Sequence, residues 1–288
     1  MLDDLELRKS IEALKNIPTL PGTVQKIGEM VDSPTISATE VGKVIAQDQV
    51  LAAKVLRLIN SSFYGFPGRI SLVSHGVVLL GFNVVKGLVL SASVFDMMDE
   101  KMIWLWEHSM ATSAVSGIIA RHLNHPEAEE VAVAGLLHDI GKVLMAVELP
   151  EYLEPLDAYV AEKNVSRVVA EKEVLGITHC HVASWLCAKW NLPINLSEPL
   201  MYHHAPRRAE HAPVQAAIVH LANVLTRARG FGSGGDPFVP KINLYAWDKL
   251  GLTVKDLDEI LGRFEDEIAT IDEQDLFGAP DAQASAAS

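Results

Sequence analysis

The chain has 288 residues, 49% of them apolar, and a formal net charge of −13. That length supports one large core or two modest ones. An acidic balance of this size argues against a protein that tracks nucleic-acid phosphates, which needs basic patches; it is read here as a solubility device. Cys180 and Cys187 are the only cysteines. On one helix their backbones lie beyond disulfide reach, and so sparse a use of thiols fits a reducing compartment. The opening Met1-Leu2-Asp3-Asp4 is acidic rather than basic, so no signal peptide is expected and the cytoplasm is the expected location.

Nearly every segment repeats its apolar residues at helical spacing, and no run of alternating β-branched residues appears, so the expected fold is all-α. A first helix over 11–17 is stopped by Pro18, and a second carries Val24, Ile27, Met30 and Val31. Ser37, with Glu40 three residues on, reads as a capping box for a helix that turns Val41, Val44 and Ile45 inward. Another helix covers 51–59. Phe63-Tyr64-Gly65-Phe66-Pro67-Gly68 is a turn-rich aromatic corner, read as packing between helices in preference to a partner surface. Ser71 or Ser74 is the expected cap of the helix leading to Gly81. The apolar stretch 77–95 contains Asn83 and Lys86; it reads as two buried helices or one bent helix, not a membrane span. Further helices are expected over 108–123, 129–147, 153–163, 165–175, 179–190, 196–203 and 214–229, with Thr178 as an N-cap. Phe231-Gly232-Ser233-Gly234-Gly235-Asp236-Pro237 reads as a flexible loop. A last amphipathic helix carries Leu257, Ile260 and Leu261, and the tail over 279–288 reads as disordered.

Chemistry concentrates in Leu136-Leu137-His138-Asp139-Ile140-Gly141-Lys142. An adjacent imidazole and carboxylate can grip a divalent metal from one short span of backbone. Lys142 falls one turn after His138, where its ammonium could meet a phosphate oxygen. Other imidazoles stand at helix-length spacings: His108, His179, His181, and the pair His203-His204. One such histidine alone would be an ordinary core or surface residue; the set favours a metal site. His181 is two residues after His179 and points away from it on a helix, so it reads as a capping residue. His220 reads as a packed core histidine, and Cys180 as a small buried side chain rather than a thiolate ligand. His75, His122, His125 and His211 are assigned no role.

Ile17-Pro18-Thr19-Leu20-Pro21, Ile45-Ala46-Gln47-Asp48, Leu56-Arg57-Leu58-Ile59-Asn60-Ser61-Ser62-Phe63-Tyr64-Gly65 and Val78-Leu79-Leu80-Gly81 together resemble the HDOD proteins, the HD-related output domains of bacterial signalling. The resemblance runs to about Thr226. It implies an N-terminal helical bundle packed on an HD-domain-like helical bundle. The expected division is an N-terminal subdomain over 1–98, an HD-like subdomain with the metal site over 99–230, and a loop, amphipathic helix and tail over 231–288. By resemblance to metal-dependent HD and HD-GYP phosphohydrolases, His108, His138, Asp139, His179, His203 and His204 match metal ligands, and Asp139 and Lys142 would act in catalysis. Their closing aspartate falls at Asn223, which keeps a carbonyl oxygen but lacks the charge. Ala205-Pro206-Arg207-Arg208 stands where a Gly-Tyr-Pro segment would be, and Trp104 where some members carry a further carboxylate. The implied cofactor is one or two divalent ions, with Fe, Mn, Zn or Ni suiting imidazole-rich ligation. The implied function is signalling through a protein partner or a phosphate-containing small ligand, with hydrolysis of a nucleotide or cyclic dinucleotide as the alternative. Neither nucleic acid nor membrane is an expected partner.

Overall fold

A computed structural model describes residues 10, 22–31, 35–61, 70–95, 97–98 and 102–269. The expected helix over 11–17, the motif at 17–21, the aromatic corner at 63–68 and the tail over 279–288 lie outside the described residues. Among the described residues there is no strand, and no helix is long and apolar enough to cross a membrane. The fold is all-α.

Among the described residues, five helices precede the His138-Asp139 pair's own bundle: α1 (Gly22–Val31), α2 (Ala38–Ala46), α3 (Gln49–Ile59), α4 (Val73–Leu80) and α5 (Phe82–Phe95). Helix α2 starts at the expected capping box: Ser37 and Glu40 exchange side-chain and backbone hydrogen bonds. The cap of α4 differs from expectation. Its N-cap is Leu72, with neither serine bonding the helix end; burial of Val73, Gly76, Val77 and Leu80 holds the helix instead. Gly81 at φ +84° divides the apolar stretch into α4 and α5, a backbone turn that favours glycine. Asn60 ties residue 60 to residue 70: its amide donates to the Ile70 carbonyl, and its Oδ1 accepts from the Ile70 N–H, both at 2.7 Å.

The second set comprises α6 (Ile103–His122), α7 (Ala128–Leu137), α8 (Ile140–Glu148), α9 (Leu153–Lys163), α10 (Arg167–Leu175), α11 (His179–Lys189), α12 (Ile194–Tyr202), α13 (Pro213–Ala228), α14 (Leu244–Leu250) and α15 (Val254–Ala269). Helix α6 is buried along most of its length and packs on α7, α13 and α15. Helix α5 joins the two sets, contacting α1, α3 and α4 on one side and α7 and α8 on the other. The join is close: a Cβ at Gly87 would overlap Val133, Lys86 donates to the Asn191 carbonyl at 3.0 Å, and Asn83 bonds Glu130.

Two corrections bear on function. The single helix expected over 129–147 is two helices, broken at His138 and Asp139. Asp139 sits at φ −100° and ψ 13°, outside the helical run, and re-aims the chain so that Gly141 meets α11. A Cβ at Gly141 would overlap the carbonyl oxygen of His179. The loop at 231–237 is not free. Asp236 pairs with Arg227, accepts from the Phe238 N–H at 2.8 Å and the Arg167 N–H at 2.6 Å, and leaves the segment strapped across α6. Ser233 N–H donates to the Trp104 carbonyl at 3.1 Å, and Gly232, at φ +60°, lies where a Cβ would overlap the backbone of His108. Local glycine content suggests freedom; the buried Arg227–Asp236 ion pair and the bond from Asp236 to the distant Arg167 N–H remove it.

Gly141→Ala is expected to lower stability by about 1–3 kcal/mol by forcing α8 from α11. Gly262→Ala, in open space on α15, is expected to raise it by about 0.5–1 kcal/mol. Urea unfolding midpoints measure both; equal effects would mean that the α8–α11 approach is not tight.

Candidate metal centre

The α7–α8 break leaves Asp139 only 1% exposed, with its two oxygens facing different groups. Oδ2 lies 3.3 Å from His138 Nε2, 3.7 Å from His108 Nε2 and 2.6 Å from Lys142 Nζ. Oδ1 lies 3.3 Å from His179 Nε2 and 3.7 Å from His203 Nε2. His179 and His203 approach to 3.4 Å between their Nε2 atoms, and the His203 and His204 ring centres are 4.2 Å apart. His108 comes from α6, His138 from the end of α7, His179 from the first turn of α11, and His203 and His204 from the end of α12. All six expected protein ligands other than Asn223 are therefore brought together. Asn223, on α13, is buried with its Oδ1 unpaired among the described residues.

Hydrogen bonds on the outer nitrogens fix what the inner ones offer. His138 Nδ1 meets the Gly135 carbonyl at 2.7 Å, His203 Nδ1 meets the Leu200 carbonyl at 3.1 Å, and His179 Nδ1 meets Glu171 Oε2 at 2.7 Å. Each partner is an acceptor, so each Nδ1 carries a proton. In the neutral ring, Nε2 then presents a lone pair toward Asp139. Acceptors gathered without a donor between them are costly when buried; a cation or a proton must lie among them. His108 has both ring nitrogens unpaired among the described residues, and His138 Nε2, His204 Nε2 and Asp139 Oδ1 are also shielded and unpaired. These orphaned atoms fit a metal.

The electrostatics agree. Burial, reinforced by neighbouring imidazoles, holds His108, His203 and His204 well below the ordinary 6.5. Burial also works against ionised Asp139, but His138 and Lys142 outweigh it and hold its carboxyl well below the usual carboxylate range. His179 is the exception. Burial opposes its charge, yet the Glu171 carboxylate, with help from Cys180, pushes it up to about 10.

Sequence reasoning missed Glu171. It is 1% exposed and accepts from both the ring and the backbone N–H of His179, the latter at 2.9 Å. Its neighbours Lys172 and Glu173 are exposed, so the segment reads as a solvent face; only a buried carboxylate in that company hints at a partner. Glu198 was missed too. It is buried on α12 and accepts from the N–H groups of Glu210, His211 and Ala212, holding the turn that follows the histidine pair. His220 is the packed core residue expected, and it also supports the site: Nδ1 donates to the His203 carbonyl at 2.7 Å and Nε2 accepts from the Asn243 N–H at 2.9 Å. His181 turns away, its Nδ1 accepting from the Thr178 N–H at 3.1 Å as a capping residue does. His122, given no role, pairs with Asp256 at 2.9 Å and docks α15. Arg207 and Arg208 are exposed and lie over the rings of Tyr245 and Tyr202.

Lys142 is the residue whose setting departs most from expectation. Its ammonium donates to Asp139 Oδ2 at 2.6 Å and to the Gly234 carbonyl at 2.9 Å. The glycine strap thus closes over the lysine.

The HDOD domain family model matches residues 17–206. The chain belongs to the HDOD family. An uncharacterized protein of Treponema pallidum (strain Nichols) is 26% identical over 236 residues, which cover 79% of this chain and 45% of that protein; the chain thus spans less than half the length of that relative. An HDOD domain protein of unknown function from Geobacter sulfurreducens has a solved structure with a TM-score of 0.70 at 25% identity, covering 92% of this chain and 96% of that one. A candidate signal-transduction protein from Marinobacter aquaeolei VT8 has the same fold, with a TM-score of 0.66 at 24% identity, covering 93% of this chain and 66% of that one.

The metal-free protein should show a stability maximum near neutrality. Below 6.5 the unfolded chain protonates while His108, His203 and His204 stay neutral in the fold, so stability falls on acidification by up to about 1.4 kcal/mol per pH unit for each. His179 works in the other direction. Its stabilising proton is fully in place below 6.5, and the stabilisation is lost as pH rises toward about 10. Urea unfolding across this range measures both limbs. Glu171→Gln should flatten the alkaline limb and spare the acid one; an unchanged alkaline limb would mean that Glu171 does not charge His179.

Proposed function

We propose that this HDOD protein acts in signalling through a protein partner or a phosphate-containing small ligand, and that its HD-type centre holds one or two divalent ions. The observation that carries the reading is the convergence on Asp139 of Nε2 atoms whose opposite nitrogens are all held as donors. His108, His138 and Asp139 would hold one ion, and His179, His203 and His204 a second, with Asp139 offering one oxygen to each side. Imidazole-rich ligation suits Fe, Mn, Zn or Ni. Bound there, such an ion would supply Lewis acidity toward a phosphoryl oxygen.

Binding is favoured over turnover by three features of this chain. Lys142, the cation nearest the centre, is already committed to Asp139 and Gly234. Asn223 carries no charge where the related enzymes have an aspartate. The segment after His203-His204 is a short 3-10 turn over Pro206–Arg208, with its two arginines outside the cluster. The signalling description of the Marinobacter neighbour points the same way. Hydrolysis of a phosphate ester is the second reading, favoured by the division of Asp139's oxygens between two donor groups.

Elemental analysis of protein purified without a metal-affinity column tests the centre. One or two divalent ions per chain are expected, and His138→Ala and Asp139→Ala should each weaken metal binding by more than about tenfold. Protein that binds no divalent metal would end the proposal. Turnover of a generic phosphodiester under Mn, Fe, Ni or Zn loading, lost in both variants, would establish the hydrolytic reading in place of the binding one.

A further inference from the structure

The His179, His203 and His204 group contains a fourth donor that the related enzymes' ligand set does not use. Cys180 follows His179 on the first turn of α11, half-buried and with a free thiol. Its sulfur and one ring nitrogen from each of the three histidines all lie within 4.8 Å of one another. Cys180 is half-buried where a buried side chain was expected. Cys187 on the same helix is the residue that fits that description. A cysteine beside a histidine is not a site by itself. Here a second observation points to a ligand: Asp139 Oδ1, 1% exposed as a residue, is unpaired among the described residues and lies 3.3 Å and 3.7 Å from His179 Nε2 and His203 Nε2. His204 Nε2 is shielded and unpaired in the same group.

We propose that Cys180 is a metal ligand, and that with His179, His203 and His204 it completes a seat of three nitrogens and one sulfur, faced by Asp139 Oδ1, for a thiolate-accepting divalent ion such as zinc. The inference rests on the metal-centre reading above and adds to it a difference between the two seats. The His108, His138 and Asp139 group offers nitrogen and oxygen only, which suits manganese or iron as well as zinc. The Cys180 group offers a soft donor, and thiolate with imidazole is a zinc-selecting combination. Binding forms one metal–sulfur bond and a metal–nitrogen bond to each of the three imidazoles, breaks the Cys180 S–H and His179 Nε2–H bonds, and releases both protons to solvent; no electron is transferred.

Cobalt(II) is the probe, because a thiolate ligand adds a near-ultraviolet charge-transfer band to the visible d–d bands that any cobalt site shows. The experiment titrates cobalt into the metal-free full-length chain. The charge-transfer band should appear, saturate with one equivalent, and be displaced by zinc. Cys180→Ser should abolish it, keep visible d–d absorption, and weaken zinc binding by about tenfold or more. Cys187→Ser should leave the band in place. Visible bands without charge transfer in the unaltered protein, or a charge-transfer band that survives Cys180→Ser, would overturn the assignment of Cys180 and leave the metal centre standing. No cobalt absorption of either kind would overturn both.

Discussion

A shielded carboxylate that meets imidazole nitrogens on both of its oxygens is the constraint on which this structure turns. Asp139 is 1% exposed, beyond the reach of bulk solvent, and the rings of His138, His179 and His203 hold their Nδ1 protons outward. Such an arrangement is unfavourable unless positive charge lies within it. In the metal-free chain that charge comes from Lys142 and from His179, which Glu171 keeps protonated. A divalent ion would replace the His179 proton, so metal binding and proton release are coupled.

The fold bends to make this possible. A continuous helix through residue 139 could not turn Asp139 toward α11 and α12 while keeping His138 near α6. The break supplies that turn, and Gly141 lets α8 come against the His179 backbone. Glu171, Glu198 and His220 then fix the backbone or ring of the histidine-bearing turns from behind. These outer contacts set ring orientation, which decides whether a lone pair or a proton points inward.

Much of the site was legible in the sequence because its members are chemically conspicuous: a histidine-aspartate pair at a helix end and further histidines at helix starts and stops. The helical class was legible from apolar spacing, and the Ser37 cap from its Glu40 partner. What escaped depends on contacts between distant segments. The break within 129–147 carries no proline, and its cause lies in packing against α11. Glu171 sits among charged residues that look like a solvent face. The short α14 has an Asn243 cap but too few residues to show a period. The strap over Lys142 reads as a mobile glycine loop until Arg227 is placed beside Asp236. Cys180 looked like core filler because its sequence neighbourhood says nothing of His203 and His204, which α12 brings to it.

The family relationship and the site fit together through α5. That helix touches the N-terminal set on one side and the two helices flanking Asp139 on the other. The N-terminal helices are therefore one layer removed from the turn that carries His138 and Asp139, with Gly87 at Val133 and Asn83 at Glu130 as direct links.

Anomalous X-ray scattering from crystals grown with manganese or zinc tests the central claim most directly. A peak is expected within bonding distance of Asp139 and at least two of His108, His138, His179, His203 and His204. A fully ordered site with no anomalous peak, its imidazoles bonded to one another and to Asp139 through protons alone, would contradict it.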